Sequence, residues 1–161
     1  MRQYQNFCRV GVWFVMTGMV LFLVYGTADA EDKWKTCKAN YIECYTQDAD
    51  TTQAKCREGC ERIYKGDKYA VAACKDGCGK MHDCFLSKRD EVAKRVCASG
   101  DCYSTCMEEM NYLLMGCRVV GQPFCKAKSS SVRIPCITGY EYYGISMHQK
   151  GVDICPKACP K

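Results

Sequence analysis

Four pairs of cysteines in this chain are spaced so that both thiols lie on one face of a helix, one turn apart. They are Cys56 and Cys60, Cys74 and Cys78, Cys102 and Cys106, and Cys155 and Cys159. Residues four apart in a helix have Cβ atoms about 5–6 Å from each other, whereas a disulfide needs Cβ atoms about 3.5–4.5 Å apart. Each thiol is therefore expected to reach sideways to a second helix rather than to its neighbour on the same helix.

The segment Cys56-x3-Cys60-x13-Cys74-x3-Cys78 makes this rule specific. It predicts two antiparallel helices, joined by a turn at Lys65-Gly66-Asp67-Lys68 and clamped by nested bridges Cys56–Cys78 and Cys60–Cys74. The sequence leaves the pairing of the other cysteines open. These are Cys37, Cys44, Cys84, Cys97, Cys102, Cys106, Cys117, Cys125, Cys136, Cys155 and Cys159.

The number of cysteines indicates an oxidising compartment. The chain has 16 cysteines, a content typical of secreted disulfide scaffolds. Cys8 lies in the N-terminal segment described next, and the 15 that follow it are an odd number. One thiol must then stay free or pair with another molecule, and we expect a disulfide-linked homodimer.

Residues 1–30 have the features of a cleaved signal peptide. Two arginines flank the start of an uncharged apolar run, Gly11 to Tyr25, of 15 residues, whereas a membrane-spanning helix needs about 20. The run is followed by Ala28-Asp29-Ala30, a small-x-small pattern that signal peptidase accepts. We expect a secreted, extracellular protein; the alternative is an uncleaved signal anchor.

Helical periodicity dominates residues 31–120, which we expect to form a disulfide-stapled helical domain. Asp50-Thr51-Thr52-Gln53 resembles a capping box and predicts a helix start. The clearest 3.6-residue period is the stripe Tyr103, Cys106, Met107, Met110, Leu113, Leu114 and Cys117. The predicted fold class is all-α, a small disulfide-rich helical bundle of helical hairpins.

The pattern changes beyond Val120. Gly121-Gln122-Pro123 predicts the end of a helix, and Ser129-Ser130-Ser131 indicates a flexible segment. Residues 121–161 are therefore expected to form a loop-rich C-terminal arm, held by its cysteines Cys125, Cys136, Cys155 and Cys159.

Composition argues against several classes of function. The 23 basic and 18 acidic residues give a net charge of +5, mildly basic and mixed in sign, whereas nucleic-acid binding usually shows a clustered basic face.

Two histidines, His82 and His148, are few for acid–base catalysis. His82-Asp83-Cys84 is reminiscent of secreted phospholipase A2 but lacks that enzyme's glycine-rich calcium loop. Zinc sites favour Cys-x2-Cys spacing, so we expect no metal. From these features together we also expect no cofactor and no enzymatic activity.

Residues 51–82 resemble the α-hairpinin scaffold in the spacing of Cys56, Cys60, Cys74 and Cys78. That scaffold occurs in certain scorpion potassium-channel toxins and in plant antimicrobial and protease-inhibitory peptides, so the resemblance implies a helical hairpin without fixing an activity. Tyr64-Lys65 and Lys68-Tyr69 flank the predicted tip. Channel-plugging toxins of this shape use a basic–aromatic pair, which makes these four residues candidates for target binding; the alternative is a solvated turn.

Over the whole chain the sequence resembles the con-ikot-ikot toxins of cone snails in three features: Cys37-x6-Cys44, Cys102-Tyr103 and the paired cysteines of the tail. It departs from them in its length and in lacking adjacent Cys-Cys pairs. The resemblance implies a secreted dimeric modulator of a glutamate receptor, and we expect a toxin-like ligand of an extracellular ion channel or receptor. Two alternatives stay open: a carrier or pheromone-like protein that binds a small apolar ligand, and a protease inhibitor that presents Lys65 or Lys68.

Overall fold

The structure is a computed structural model that describes residues 25–159, with side chains from residue 31 onward. The predicted signal peptide, residues 1–30, lies mostly outside this described range, and its cleavage stays a prediction. Within residues 25–159, none of the helices contains an uncharged apolar stretch of the length that a membrane span requires.

The described chain is all-α and disulfide-rich, which confirms the predicted fold class. Its helices are α1 (Tyr25–Ile63), α2 (Lys68–Ala98), α3 (Cys102–Lys126), α4 (Ser130–Gln149) and α5 (Gly151–Ala158). Helix α2 is central and packs against α1, α3 and α4, while the short α5 packs against α1, α3 and α4. The core between these helices contains five aromatic side chains with almost no exposure: Tyr41, Tyr45, Phe85, Tyr140 and Tyr143.

Three disulfides clamp α1 to α2 in a single antiparallel register. The bridges Cys56–Cys78 and Cys60–Cys74 are the two that helical spacing predicts. The third is Cys37–Cys97 at the other end of the hairpin. The step of 19 residues from Cys37 to Cys56 is matched by a step of 19 from Cys78 to Cys97, as two straight, evenly paired helices require.

The other two Cys-x3-Cys pairs bind each other by the same rule. Cys102–Cys159 and Cys106–Cys155 form a second nested clamp, between α3 and α5. Two single bridges, Cys84–Cys117 from α2 to α3 and Cys125–Cys136 from α3 to α4, complete the seven. No helix of the described chain therefore depends on packing alone.

Cys44 lies in the core and is only 2% exposed. It is the one cysteine of residues 31–159 outside the seven bridges. A bridge to a second chain through Cys44 would require this part of α1 to open. The disulfide-linked homodimer stays a prediction, which gel electrophoresis without reductant measures directly.

The expectation of a loop-rich C-terminal arm is wrong. Helix α3 continues through Gly121 and Pro123 to Lys126, and most of the segment that follows forms α4 and α5. The boundary expected between residues 120 and 121 thus falls inside a helix. Local helix-breaking signals were outweighed because α4 buries Tyr140, Tyr143 and Met147 in the common core, and tertiary packing overrides weak local propensity.

A helix start at Asp50-Thr51-Thr52-Gln53 is also wrong, because α1 passes through these residues without a break. Its buried positions Tyr45, Ala49, Thr52 and Cys56 follow one another at helical spacing. A continuous buried stripe of this kind stabilises a single long helix across a local capping signal.

Glycines let α2 and α4 approach until their backbones touch. A Cβ atom added at Gly77 would collide with the carbonyl oxygen of Cys136 and lie 2.8 Å from the backbone nitrogen of Tyr140. From the opposite side, a Cβ atom at Gly139 would collide with the carbonyl oxygen of Cys74. Only glycine fits at these two positions of the crossing, because no side chain can displace a backbone carbonyl.

The buried tyrosines predict a loss of stability in alkali. Burial raises the pKa of Tyr140 to about 12, and it also raises the pKa values of Tyr41, Tyr45 and Tyr143 above the ordinary value for tyrosine. In the unfolded chain these tyrosine hydroxyls ionise at a lower pH than in the folded protein. Each buried tyrosine therefore lowers the free energy of unfolding by about 1.4 kcal/mol per pH unit above pH ~10. We expect the melting temperature to stay level up to pH 9 and to fall steeply by pH 11. Absorbance at 295 nm should show these tyrosines ionising only with unfolding; their ionisation in the folded state would contradict the prediction.

Candidate functional site

The candidate site is the tip of the α1–α2 hairpin, where the two helices meet in a tight turn. Gly66 adopts a φ of 93°, a left-handed conformation that suits glycine. Asp67 then caps α2, because its carboxylate accepts hydrogen bonds of 3.0 Å from the backbone N–H groups of Tyr69 and Ala70. The local sequence Lys65-Gly66-Asp67-Lys68 thus ends one helix and begins the next within four residues.

Two disulfides fix the base of this tip. Cys60–Cys74 lies nearest to the turn, with its Cα atoms 5.7 Å apart, and Cys56–Cys78 lies one helical turn below it. These bridges prevent the last turns of α1 and the first turns of α2 from separating. The turn is therefore held on a covalently closed support with little conformational freedom.

The four residues predicted for target binding do not share one surface. Tyr64 leans against α4, where its hydroxyl donates a 3.0 Å hydrogen bond to Oγ1 of Thr138. Lys65, Lys68 and Tyr69 are exposed. The structure brings Lys68 and Tyr69 together, since Nζ of Lys68 lies 5.2 Å from the centre of the Tyr69 ring.

One exposed residue of the tip was missed by sequence reasoning. Ile63, the last residue of α1, is 58% exposed, and Tyr69 is 68% exposed. Helical spacing places Ile63 on the same stripe as the buried Cys56 and Cys60. It nevertheless remains exposed at the end of α1. The position of α4, which determines what the residues near the tip contact, cannot be predicted from the hairpin sequence.

A solvated depression lies beside the tip on α2. It has a volume of about 500 Å³ and is lined by Gly66, Lys68, Val71, Ala72 and Lys75. Lys75 forms an ion pair with Glu61 across the hairpin, which lowers the pKa of the Glu61 carboxyl through a hydrogen bond. Lys65, Lys68 and Arg62 are exposed cations at or next to the tip. The carboxylates of Glu61 and Asp67 are both engaged.

His82, the residue considered for catalysis, links α1 to α2. Its Nε2 lies 3.1 Å from Oδ1 of Asp50 and its Nδ1 lies 3.4 Å from Oδ1 of Asp83, and its ring packs edge-on against Tyr143. The side chain is only 8% exposed. Both ring nitrogens face carboxylates, so neither is presented to a substrate, and the geometry suits a structural tie.

A groove between α2 and α3 is the feature that bears on ligand carriage. It has a volume of about 290 Å³, opens to solvent, and contains apolar side chains such as Leu113 and Val120. Arg95 lies on its rim and forms a bidentate pair with Glu109, with N–O distances of 2.6 and 2.8 Å. This groove is therefore not an enclosed apolar cavity of the kind that holds a small hydrophobic ligand.

Sulfur atoms of Cys56, Cys60 and Cys78 lie within 4.8 Å of one another. All three belong to disulfides, and metal binding requires thiolates. The proximity of these atoms therefore follows from the nested clamp and does not make a metal centre.

Comparison of the chain with protein-family models, with curated proteins and with solved structures finds no match. The resemblances to α-hairpinins and to con-ikot-ikot toxins stay predictions.

Proposed function

We propose that this chain is a secreted, non-enzymatic, toxin-like modulator of an extracellular ion channel or receptor, and that it contacts its target with the hairpin tip. The observation that supports this best is the exposure of Tyr69 beside Lys68 on a support closed by two disulfides. A basic and an aromatic group exposed side by side at the start of α2 can enter a cation pathway or a receptor cleft.

Three physical arguments favour the tip as a binding surface. Aromatic side chains contribute strongly to binding energy when they enter a pocket. Lys65 and Lys68 would be attracted to acidic channel mouths and receptor surfaces. The nested bridges keep the tip in its bound shape before contact, which lowers the entropic cost of association.

The alternatives find less support in the geometry. A carrier needs an enclosed apolar cavity, whereas the α2–α3 groove is open and has charged residues on its rim. A substrate-like protease inhibitor needs an extended backbone around the residue that it presents. Lys68 is the first residue of α2, and Lys65 lies in a tight turn.

The test is current recording from a panel of glutamate receptors and potassium channels exposed to the purified, oxidised protein. On a responding target we expect Lys68→Ala and Tyr69→Ala each to weaken the effect at least ~10-fold, equivalent to about 1.4 kcal/mol. Lys88→Ala and Tyr103→Ala are matched controls, since both residues are exposed and both lie away from the tip.

Two results would count against the proposal. One is the lack of any response across the panel. The other is a response that the two tip variants leave unchanged while a control variant abolishes it, which would move the contact surface elsewhere.

A further inference from the structure

Helix α3 has a second apolar stripe on the face that points away from the core. Its inward stripe, including Cys106, Met110 and Leu113, is buried against the rest of the chain. Its outward face carries Tyr112, Met115 and Val119, which are 66%, 53% and 75% exposed. Exposed apolar side chains that lie next to one another, rather than singly, are typical of interaction sites.

The outward residues follow the spacing of a coiled-coil seam. From Glu108 to the end of the helix, exposed residues recur at alternating steps of four and three. They are Glu108, Tyr112, Met115, Val119, Gln122 and Lys126. This alternation is the heptad spacing at which one helix packs along another. The three central positions are apolar, and the positions toward the ends are polar or charged. The seam therefore suits a second helix better than a globular or flat partner surface.

The charges at the two ends of the seam indicate which helix. Glu108 lies near the start of α3 and Lys126 is its last residue, and neither has an ion-pair partner among residues 31–159. If two copies of α3 lie antiparallel, each Glu108 meets the Lys126 of the other copy, so that both ends are complementary. A parallel arrangement would place like charges together at both ends.

We propose that the outward face of α3 is a self-association surface, on which a second copy of this chain binds with the two α3 helices antiparallel. The midpoint between Glu108 and Lys126 falls at Cys117, next to Gly116. A Cβ atom added at Gly116 would meet nothing within 4 Å, so this position leaves room for the second helix near the two-fold axis. Met115 of each copy then packs against Val119 of the other.

Sedimentation equilibrium of the oxidised protein over a range of concentrations tests the proposal. The wild-type chain should form dimers with a dissociation constant on the order of micromolar, as a single helix pair is a small interface. Glu108→Lys and Lys126→Glu should each weaken association at least ~10-fold, because each places like charges together at both ends of the antiparallel pair. The double variant Glu108→Lys/Lys126→Glu should return to within about threefold of wild type.

Glu58→Lys on α1 and Lys94→Glu on α2 make the same charge changes at exposed positions outside the seam, and they should leave association unchanged. Val119→Arg places a charge in the middle of the seam. Unlike these two controls, it should abolish dimers.

Three results would overturn the proposal. The first is a chain that stays monomeric at all concentrations. The second is a dimer that the charge exchanges do not weaken, whether parallel, linked through a cysteine or formed by another face. The third is binding of the monomer to phosphatidylcholine–phosphatidylserine vesicles that Val119→Arg removes, which would assign the stripe to a lipid surface.

Discussion

Substitution of Gly77 by alanine should destabilise the fold by about 3 kcal/mol, at the upper end of the usual cost of overpacking. The added methyl group would occupy the space of the Cys136 carbonyl oxygen, and a backbone group cannot rotate away as a side chain can. Helices α2 and α4 would have to separate along the crossing that buries Tyr140 and Tyr143. In a chain of this size the change corresponds to a decrease of about 10 °C in melting temperature.

Gly79→Ala is a matched control two residues further along the same helix. A Cβ atom there would meet nothing within 4 Å, and alanine favours a helix interior over glycine by roughly 0.5–1 kcal/mol. We therefore expect opposite signs: a lower melting temperature for Gly77→Ala and a slightly higher one for Gly79→Ala. Equal shifts in thermal unfolding followed by circular dichroism would mean that the helices do not touch at Gly77.

A glycine at a close helix contact also explains where prediction from the sequence failed. Gly121, with Gln122 and Pro123, was an argument for a loop-rich arm. In the structure Gly121 faces α4 so closely that a Cβ atom there would overlap the Tyr140 ring. A glycine that ends a helix and a glycine that admits a neighbouring helix look alike in one sequence, because the difference lies in a tertiary contact.

Disulfide pairing was easier to predict from the sequence than helix contacts, because it depends on local geometry. Spacing of four residues excludes a bridge within one helix and sends both thiols to a partner with the same spacing. This rule accounts for the clamp of Cys56 and Cys60 with Cys78 and Cys74, and equally for the clamp of Cys102 and Cys106 with Cys159 and Cys155. The sequence alone did not identify the second clamp, because Cys155 and Cys159 were expected in a loop.

The candidate site was predictable to a similar degree. The turn at residues 65–68 and the Lys68–Tyr69 pair at its end were predicted from the hairpin sequence, whereas the capping of α2 by Asp67 was not. The engagement of Tyr64 by Thr138 depends on the placement of α4, and helix packing angles are tendencies that a single sequence does not fix. Residues at the end of a hairpin are predicted well only where no third element reaches them.

Removal of the α3–α5 clamp should release α5 from the rest of the molecule. Helix α5 has eight residues, and isolated helices shorter than about 12–15 residues are marginal in water. Its buried Ile154 and Ala158 supply little apolar area, so its position depends on Cys102–Cys159 and Cys106–Cys155, which join cysteines 57 and 49 residues apart. A cross-link over such a separation contributes about 4 kcal/mol by the chain-entropy account.

The two bridges should act as alternates, because either one alone keeps the ends of α3 and α5 together. With one in place the other closes only a short loop and contributes about 2–3 kcal/mol. Cys106→Ala/Cys155→Ala should therefore leave the amides of residues 151–158, apart from Pro156, which has no N–H, protected from hydrogen exchange. The same holds for Cys102→Ala/Cys159→Ala. Only the variant with all four substitutions should lose that protection, while amides of the α1–α2 hairpin remain protected by their own three bridges.

Cys125→Ala/Cys136→Ala, which removes a bridge over 11 residues, controls for the loss of a disulfide as such. Protection of α5 in the fourfold variant would show that packing, and not the clamp, holds it in place.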